Sequence, residues 1–176
     1  MTDYKKEGVI KGELEIEGNL ILTGDLTVEK WVNVSGYIDC AGYSIKAGGY
    51  IEAGGYIEAG DFIKAGDSIN AGSSIEAGDF IDAGDFINAG GSIEAGGSIL
   101  AQLWVKAKGT ISAGIYIYAG LVTWRKRDAE DMVIECEKLL SGEVAFGTLK
   151  EIEKVIEEMT VEQICKALGK NVKIIE

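Results

Sequence analysis

The sequence predicts a mainly β fold: a single-stranded β-helix (solenoid) with six-residue sides, followed by a small α-helical C-terminal appendage. Three observations lead to this prediction. Between residues 48 and 100 the unit Gly-(Gly/Asp/Ser)-(Tyr/Phe/Ser)-Ile-x-Ala recurs every six residues without interruption. The chain contains no proline, which suits continuous ladders of parallel strands. After residue 124 the apolar spacing changes to one typical of helices.

Each repeat unit is interpreted as a short strand and a corner. In Phe62-Ile63-Lys64-Ala65 the side chains alternate, so isoleucine and alanine face inward while the aromatic and charged residues face outward. We expect the following glycine to turn the chain, because glycine adopts positive φ freely. The isoleucines of the series are Ile51, Ile57, Ile63, Ile69, Ile75, Ile81, Ile87, Ile93 and Ile99.

The number of units in one coil follows from which units match best. A coil of three units, or 18 residues, aligns Phe62 with Phe80, whereas a coil of four units aligns Tyr56 with Phe80 and Trp104. We favour three sides and keep four as the alternative.

The first third of the chain carries the same six-residue spacing in a different form. From Ile10 onward both inward positions are large and aliphatic, which predicts a wider interior in the first coils. Residues 39–45 contain one extra residue, so we expect a bulge or a loosened corner near Cys40. The two inward series are Leu14, Leu20, Leu26, Val32 and Ile38, and Ile16, Leu22, Val28 and Val34.

The stretch VIKGELEIEGNLILTGDL resembles the bactofilins. The resemblance covers about 30 residues of glycine-spaced aliphatics. It implies a triangular β-helix that polymerises end to end as a cytoskeletal element. The stricter Ile/Ala repeat after residue 45 departs from that pattern.

Residues 125–176 are predicted to form a separate α-helical domain, with residues 1–124 as the solenoid. Asp128 is a candidate N-cap for a helix over residues 125–140, and Thr148 with Glu151 has the spacing of a capping box. A further helix is expected over residues 160–169, then a short terminal strand over residues 171–176. The apolar stripe of the first helix would be Met132, Val133, Cys136, Leu139 and Leu140.

The end of the solenoid has large outward aromatic residues. A solenoid's last coil exposes its core and needs a cover. We expect these aromatics to seat the C-terminal domain, with a binding patch or a homodimer contact as the alternative. They are Trp104, Tyr116, Tyr118 and Trp124.

TVEQICKALGK resembles the first helix of a helix-turn-helix unit, but the chain ends soon after it, so a capping or dimerising role is favoured over DNA reading.

The composition excludes most classes of enzymatic site. The chain contains no histidine, which removes histidine-ligated zinc, Ser-His and Cys-His nucleophilic sites and the histidine base of hexapeptide acyltransferases. The carboxylates lie on a repetitive convex surface with no pocket implied, so acid–base catalysis is disfavoured. The nine-residue period of calcium-binding β-rolls is missing. We therefore expect no catalytic residue, cofactor or metal.

Acidic residues dominate the outside of the repeats. Between residues 48 and 100 there are nine acidic residues against one lysine. With 18-residue coils this gives one net negative charge per ~1.8 Å of axis, close to the ~1.7 Å of duplex DNA. The candidate partner-binding residues are Glu52, Glu58, Asp61, Asp67, Glu76, Asp79, Asp82, Asp85 and Glu94.

These features predict a non-enzymatic protein that binds another macromolecule. The acidic solenoid would mimic a nucleic acid and block a basic, nucleic-acid-handling protein such as a nuclease. In strategy it is similar to the pentapeptide-repeat and anti-restriction decoys of plasmids and phages, and a phage-encoded anti-CRISPR or anti-restriction inhibitor would suit the size and charge. A plain solubilising role for the charges is the first alternative, and a bactofilin-like self-assembling scaffold is the second.

The net charge of −12 argues against direct binding of nucleic acid or an anionic membrane. Three scattered cysteines, Cys40, Cys136 and Cys165, are expected to be buried, reduced thiols. The N-terminal stretch has no apolar h-region, and no run approaches the ~18 residues of a membrane span. We expect a cytoplasmic protein.

Overall fold

The computed structural model describes residues 2–122, 126 and 128–153, and it shows a mainly β protein built as a parallel solenoid. The strands in chain order are β1 (Asp3–Ile10), β2 (Leu14–Ile16), β3 (Asn19–Val28), β4 (Val32–Val34), β5 (Ile38–Cys40), β6 (Ile45–Ala47), β7 (Ile51–Ala53), β8 (Ile57–Ala59), β9 (Ile63–Ala65), β10 (Ile69–Ala71), β11 (Ile75–Ala77), β12 (Ile81–Ala83), β13 (Ile87–Ala89), β14 (Ile93–Ala95), β15 (Ile99–Ala101), β16 (Val105–Ala107), β17 (Thr110–Ala119), β18 (Val133–Cys136), β19 (Lys138–Phe146) and β20 (Thr148–Glu151).

The strands pair in three ladders, because each strand from β6 to β14 pairs with the third strand before it and the third after it. Ladder I is an eight-stranded sheet in the order β2-β4-β7-β10-β13-β16-β18-β20. Ladder II contains β5-β8-β11-β14, and ladder III contains β6-β9-β12-β15. The long strands β1, β3, β17 and β19 run through ladders II and III and join them into one 12-stranded sheet.

The pairing confirms a coil of 18 residues. Asn70 is opposite Asn88, and the rings of Phe62 and Phe80 stack with centroids 4.9 Å apart. The alternative alignment of Tyr56 with Phe80 and Trp104 is wrong. The expected irregularity near Cys40 is also confirmed, because Ile38 is paired with Ile57 nineteen residues later.

The core is the column of isoleucine and alanine that the repeat predicts. Every isoleucine from Ile51 to Ile99 in the repeat is at most 1% exposed, and the alanines after them are also buried. The large aliphatic residues of both N-terminal series are buried as well. Each isoleucine therefore loses nearly all its contact with water, which stabilises the fold by roughly 1.5–3 kcal/mol per side chain.

The glycines of the repeat are needed for a different reason from the expected one. The glycines at the corners of the Ile/Ala units do not have positive φ. Instead, a Cβ built on Gly78 would lie 1.9 Å from the carbonyl oxygen of Gly60 in the preceding coil. At Gly78 the corner backbones of the two coils stack so closely that a side chain would overlap the carbonyl group of Gly60.

The C-terminal helix expected over residues 125–140 is wrong. A single 3-10 turn, Ala129–Met132, follows Asp128 at its N-cap, and the chain then enters strand β18. Ile134 and Cys136 are buried, and Ile134 pairs with Val105 of β16. The alternating pattern of these residues fits the free edge of β16, and completing that ladder outweighs the local helical pattern.

The predicted capping box at Thr148 and Glu151 is wrong too, because both residues belong to strand β20. Strands β18, β19 and β20 continue the ladders beyond residue 124. The helix expected over residues 160–169 and the strand expected over residues 171–176 lie outside the described residues.

Candidate partner-binding surface

Ladder II carries an uninterrupted row of carboxylates along the solenoid. The outward residue in each of four neighbouring strands of this ladder is acidic. Asp39 is paired with Glu58, Glu58 with Glu76, and Glu76 with Glu94. We call these four residues the acidic row. The row ends at Ile21 on one side and at Ser112 on the other.

Two further carboxylates flank this row at the corner between ladders II and III. Asp61 follows Glu58 by three residues, and Asp79 follows Glu76 by three. The backbone N–H of Asp79 donates to the carbonyl oxygen of Asp61 at 2.8 Å, so the two aspartates sit on adjacent coils. We call these two residues together with the acidic row the acidic face. Its six members are Asp39, Glu58, Asp61, Glu76, Asp79 and Glu94.

The other predicted residues lie elsewhere on the solenoid. Glu52 belongs to ladder I, between Asn33 and Asn70. Asp67 and Asp85 occupy the corner between ladders III and I on adjacent coils. Burial, and then the charge of Asp67, raises the pKa of Asp85. The nine predicted carboxylates therefore do not form one surface.

Asp82 is neutralised by a lysine. It lies on ladder III opposite Lys64, and the Lys64 ammonium donates to its carboxylate. Lys46 lies on the other side of Lys64 in the same ladder. Ladder III therefore carries charges of both signs and lacks the single-sign character of ladder II.

The acidic face has no such compensation. Within residues 2–122, 126 and 128–153, no lysine or arginine forms an ion pair with any of its six carboxylates. Strand spacing separates neighbouring members of the acidic row by ~4.8 Å, and like charges directly opposite each other destabilise a sheet. The row therefore opposes folding, and it also presents a concentrated negative charge to water.

Sequence reasoning missed Asp39. The extra residue in 39–45 moves it one place out of the six-residue count, and the residue lies before the strict repeat begins. The signal was present in the sequence, since counting 19 residues back from Glu58 leads to Asp39.

A cleft lies beside the acidic row at the corner between ladders I and II. It has a volume of about 240 Å³ and is lined by Tyr56, Ile57, Glu58, Ser73, Ser74 and Glu76. The ring of Tyr56 stacks on Tyr37 with centroids 4.7 Å apart and planes 5° from parallel. Partial burial raises the pKa of the Tyr56 hydroxyl, and the charges of Asp39, Tyr37 and Glu58, in that order, raise it further.

The described cysteines lie inside the fold, as predicted. Cys40 and Cys136 are free thiols with no exposed surface. Burial raises the pKa of the Cys40 thiol, and the nearby charges of Asp39 and Glu58 raise it further. Cys165 lies outside the described residues.

Three of the four predicted aromatic contact residues can be placed. Trp104 stacks on Phe86 at 4.3 Å, with the Lys106 ammonium 4.9 Å from its ring centroid. Tyr116 and Tyr118 make an edge-to-face contact at 5.9 Å. Trp124 lies outside the described residues. Whether these aromatics serve as a cover or as a dimer contact stays a prediction.

The described part of the chain contains no group of three or more histidine, cysteine or carboxylate side chains arranged to hold a metal ion. No helix within it has the length and apolar character needed to cross a membrane.

Comparison with protein families, with curated proteins and with solved structures found no match to the chain.

Proposed function

We propose that this protein is a non-enzymatic binding protein whose acidic face occupies the basic nucleic-acid groove of another protein. The observation that carries the proposal is the uncompensated acidic row, in which Asp39, Glu58, Glu76 and Glu94 lie on successive coils. Such a row opposes folding, so the negative charge it concentrates needs another explanation. Attraction of a positively charged partner supplies one, because complementary potentials direct association.

The charge spacing of the face is comparable to that of a nucleic-acid backbone. We take each ladder with one corner as a six-residue side of a three-sided coil, which places the acidic face along a single side. Its six carboxylates span three strand spacings of ~4.8 Å, or one charge per ~2.4 Å of axis. One strand of duplex DNA carries a phosphate every ~3.4 Å. A groove lined with lysine and arginine would meet a similar line of charge.

The class of partner follows from this charge pattern. A nuclease or another nucleic-acid-binding protein has the basic channel that the face would fill. Inhibitors of bacterial defence systems, such as anti-CRISPR and anti-restriction proteins made by phages, act on partners of this kind inside the cytoplasm. The proposed activity is therefore blockade of a nucleic-acid channel by a protein decoy.

A pair of charge-matched variants tests the proposal. The immobilised wild-type protein is used to capture basic nucleic-acid-binding proteins from a bacterial lysate, and duplex DNA is then added as a competitor. Glu58→Lys/Glu76→Lys should abolish capture, whereas Glu52→Lys/Asp67→Lys, with the same change in net charge, should retain it. DNA and rising salt should both release the captured protein.

Equal losses in both double variants would show that only net charge matters, and captured protein that duplex DNA cannot displace would exclude a decoy. Either result contradicts the proposed function. The variants should keep the wild-type circular dichroism spectrum, because all four positions face outward.

The alternative of end-to-end self-assembly is disfavoured by strand β1. Among the described residues this strand pairs with β3 alone, and it forms the N-terminal edge of ladders II and III. Lys6 lies opposite the buried Leu22, so a charged residue stands at an inward position of the terminal coil. Charged residues placed inward on an edge strand prevent further strand addition. Sedimentation over a concentration series tests this, because open-ended assembly would support the scaffold.

A further inference from the structure

The cleft beside Tyr56 exists because a column of stacked side chains changes size. In ladder II, the residue immediately before each strand is Tyr37 for β5, Tyr56 for β8 and Ser74 for β11. The amide of Ile57 donates to the carbonyl oxygen of Ser74 at 3.0 Å, which keeps Ser74 in register with Tyr56. A third ring would stack here, but the small serine leaves the position empty.

Tyr56 therefore has one covered ring face and one that borders the cleft. Tyr37 covers the first face at 4.7 Å. The second face points along the solenoid toward Ser74, and the cleft is also lined by the carboxylate residues Glu58 and Glu76. An aromatic face thus lies beside two acidic side chains that have no ion pair among the described residues.

We propose that this cleft binds the guanidinium group of one arginine side chain of the basic partner, stacked on Tyr56 and hydrogen-bonded to Glu58 and Glu76. The inference rests on the proposed function, since it names the side chain through which the acidic face recognises its partner. A planar cation in this position continues the stack of Tyr37 and Tyr56. Its N–H groups then point sideways toward the carboxylates.

The chemistry of the cleft selects arginine over lysine. A guanidinium is flat, stacks on aromatic rings and donates several hydrogen bonds in one plane, whereas an ammonium is a compact, strongly hydrated point charge. The size of the cleft points to a side chain rather than a free ligand. Its volume of about 240 Å³ lies below the roughly 300–1,000 Å³ of sites that enclose small molecules.

Removing both stacked rings provides a sharp test. Tyr37→Ser/Tyr56→Ser leaves no ring in this column beside Glu58 and Glu76 and removes no carboxylate, whereas replacing Tyr56 alone would only move the free ring face to Tyr37. The matched control is Trp31→Ser/Tyr50→Ser, which removes two stacked rings at the corner between ladders III and I. Binding of hexa-arginine and hexa-lysine peptides to the full chain is measured by isothermal titration calorimetry at low ionic strength.

Wild-type protein and Trp31→Ser/Tyr50→Ser should bind hexa-arginine about 2- to 5-fold more tightly than hexa-lysine, as stacking of a cation on an exposed ring predicts. Tyr37→Ser/Tyr56→Ser should bind both peptides equally, with the hexa-lysine affinity unchanged. Tyr56→Phe should keep the preference, because the ring is retained.

The outcomes separate this inference from the proposed function. Equal binding of both peptides by the wild-type protein, with loss of both in Glu58→Lys/Glu76→Lys, would overturn the arginine site and leave the acidic face as the binding surface. A preference for hexa-arginine that survives Tyr37→Ser/Tyr56→Ser would also overturn it. Failure of the wild-type protein to bind either peptide would overturn both.

Discussion

Glu58 and Glu76 lie directly opposite each other where β8 pairs with β11, and Glu76 meets Glu94 in the same way on its other side. Glu76 is therefore the carboxylate with a glutamate neighbour on both adjacent strands. Folding stability and partner binding place opposite demands on the residues of the acidic row. Stability favours neutral side chains at these positions, whereas attraction of a basic partner favours charged ones.

Neutralising Glu76 should stabilise the protein. Glu76→Gln removes repulsion from Glu58 and Glu94 while it keeps the shape of the side chain. We expect an increase of about 0.2–1 kcal/mol in the free energy of unfolding, measured by urea denaturation at low ionic strength. Salt screens exposed charges, so the gain should shrink at high ionic strength.

Glu52→Gln is the matched control, because Glu52 lies between two asparagines on ladder I. Its stability should hardly change. A loss of stability in Glu76→Gln, or an equal gain in both variants, would show that the row is not strained by repulsion.

The interior of the solenoid could be predicted from the sequence because buried side chains obey a strict spatial rule. Isoleucine and alanine recur at inward positions, and any slip would move them to the outer face. The N-terminal aliphatic series follow the same rule, and all of their residues are buried.

The surface and the C-terminal end were harder to predict because they depend on register and on neighbouring strands. One extra residue near Cys40 concealed the pairing of Asp39 with Glu58. Residues 133–136 fit both a helical stripe and an alternating strand, and only the free edge of β16 decides between them. The cleft beside Tyr56 became visible only when Ser74 was placed in the same column.

The close stacking of the corner glycines predicts a large difference between two similar substitutions. Gly78→Ala would place a Cβ 1.9 Å from the carbonyl oxygen of Gly60, so the backbones of two coils must separate. We expect a loss of about 1–3 kcal/mol in the free energy of unfolding. Gly49→Ala, with its nearest atom at 3.2 Å, should change stability by no more than about 0.5 kcal/mol. Urea denaturation of both variants measures the difference, and equal effects would contradict the stacking argument.

The burial of Cys40 and Cys136 predicts that neither thiol reacts in the folded protein. A thiolate is the reactive form, and burial raises the pKa of both groups, so they stay protonated and inaccessible. In a Cys165→Ser variant, a thiol reagent such as Ellman's reagent should label neither cysteine until urea unfolds the chain. Rapid labelling of the native protein would show that the core opens near one of them.

The ion pair between Glu135 and Lys150 predicts a pH-dependent contribution to stability at the C-terminal end. Lys150 Nζ donates to Glu135 Oε2 at 2.8 Å, where β18 pairs with β20. This hydrogen bond lowers the pKa of the Glu135 carboxyl. A lowered pKa in the folded state stabilises the protein above the unfolded pKa of about 4.3, and the contribution disappears as pH falls through the folded value.

Lys150→Met should therefore be less stable than the wild type at neutral pH, by roughly 0.2–1 kcal/mol for a pair this exposed to solvent. The difference should narrow below about pH 4.3 and vanish at lower pH, where Glu135 is protonated in both proteins. Urea denaturation between neutral and acidic pH measures it. Lys11→Met, which removes a lysine that has no ion pair among the described residues, should show no such convergence. A deficit in Lys150→Met that stayed constant with pH would assign the effect to packing of the lysine stem rather than to the charge of Glu135.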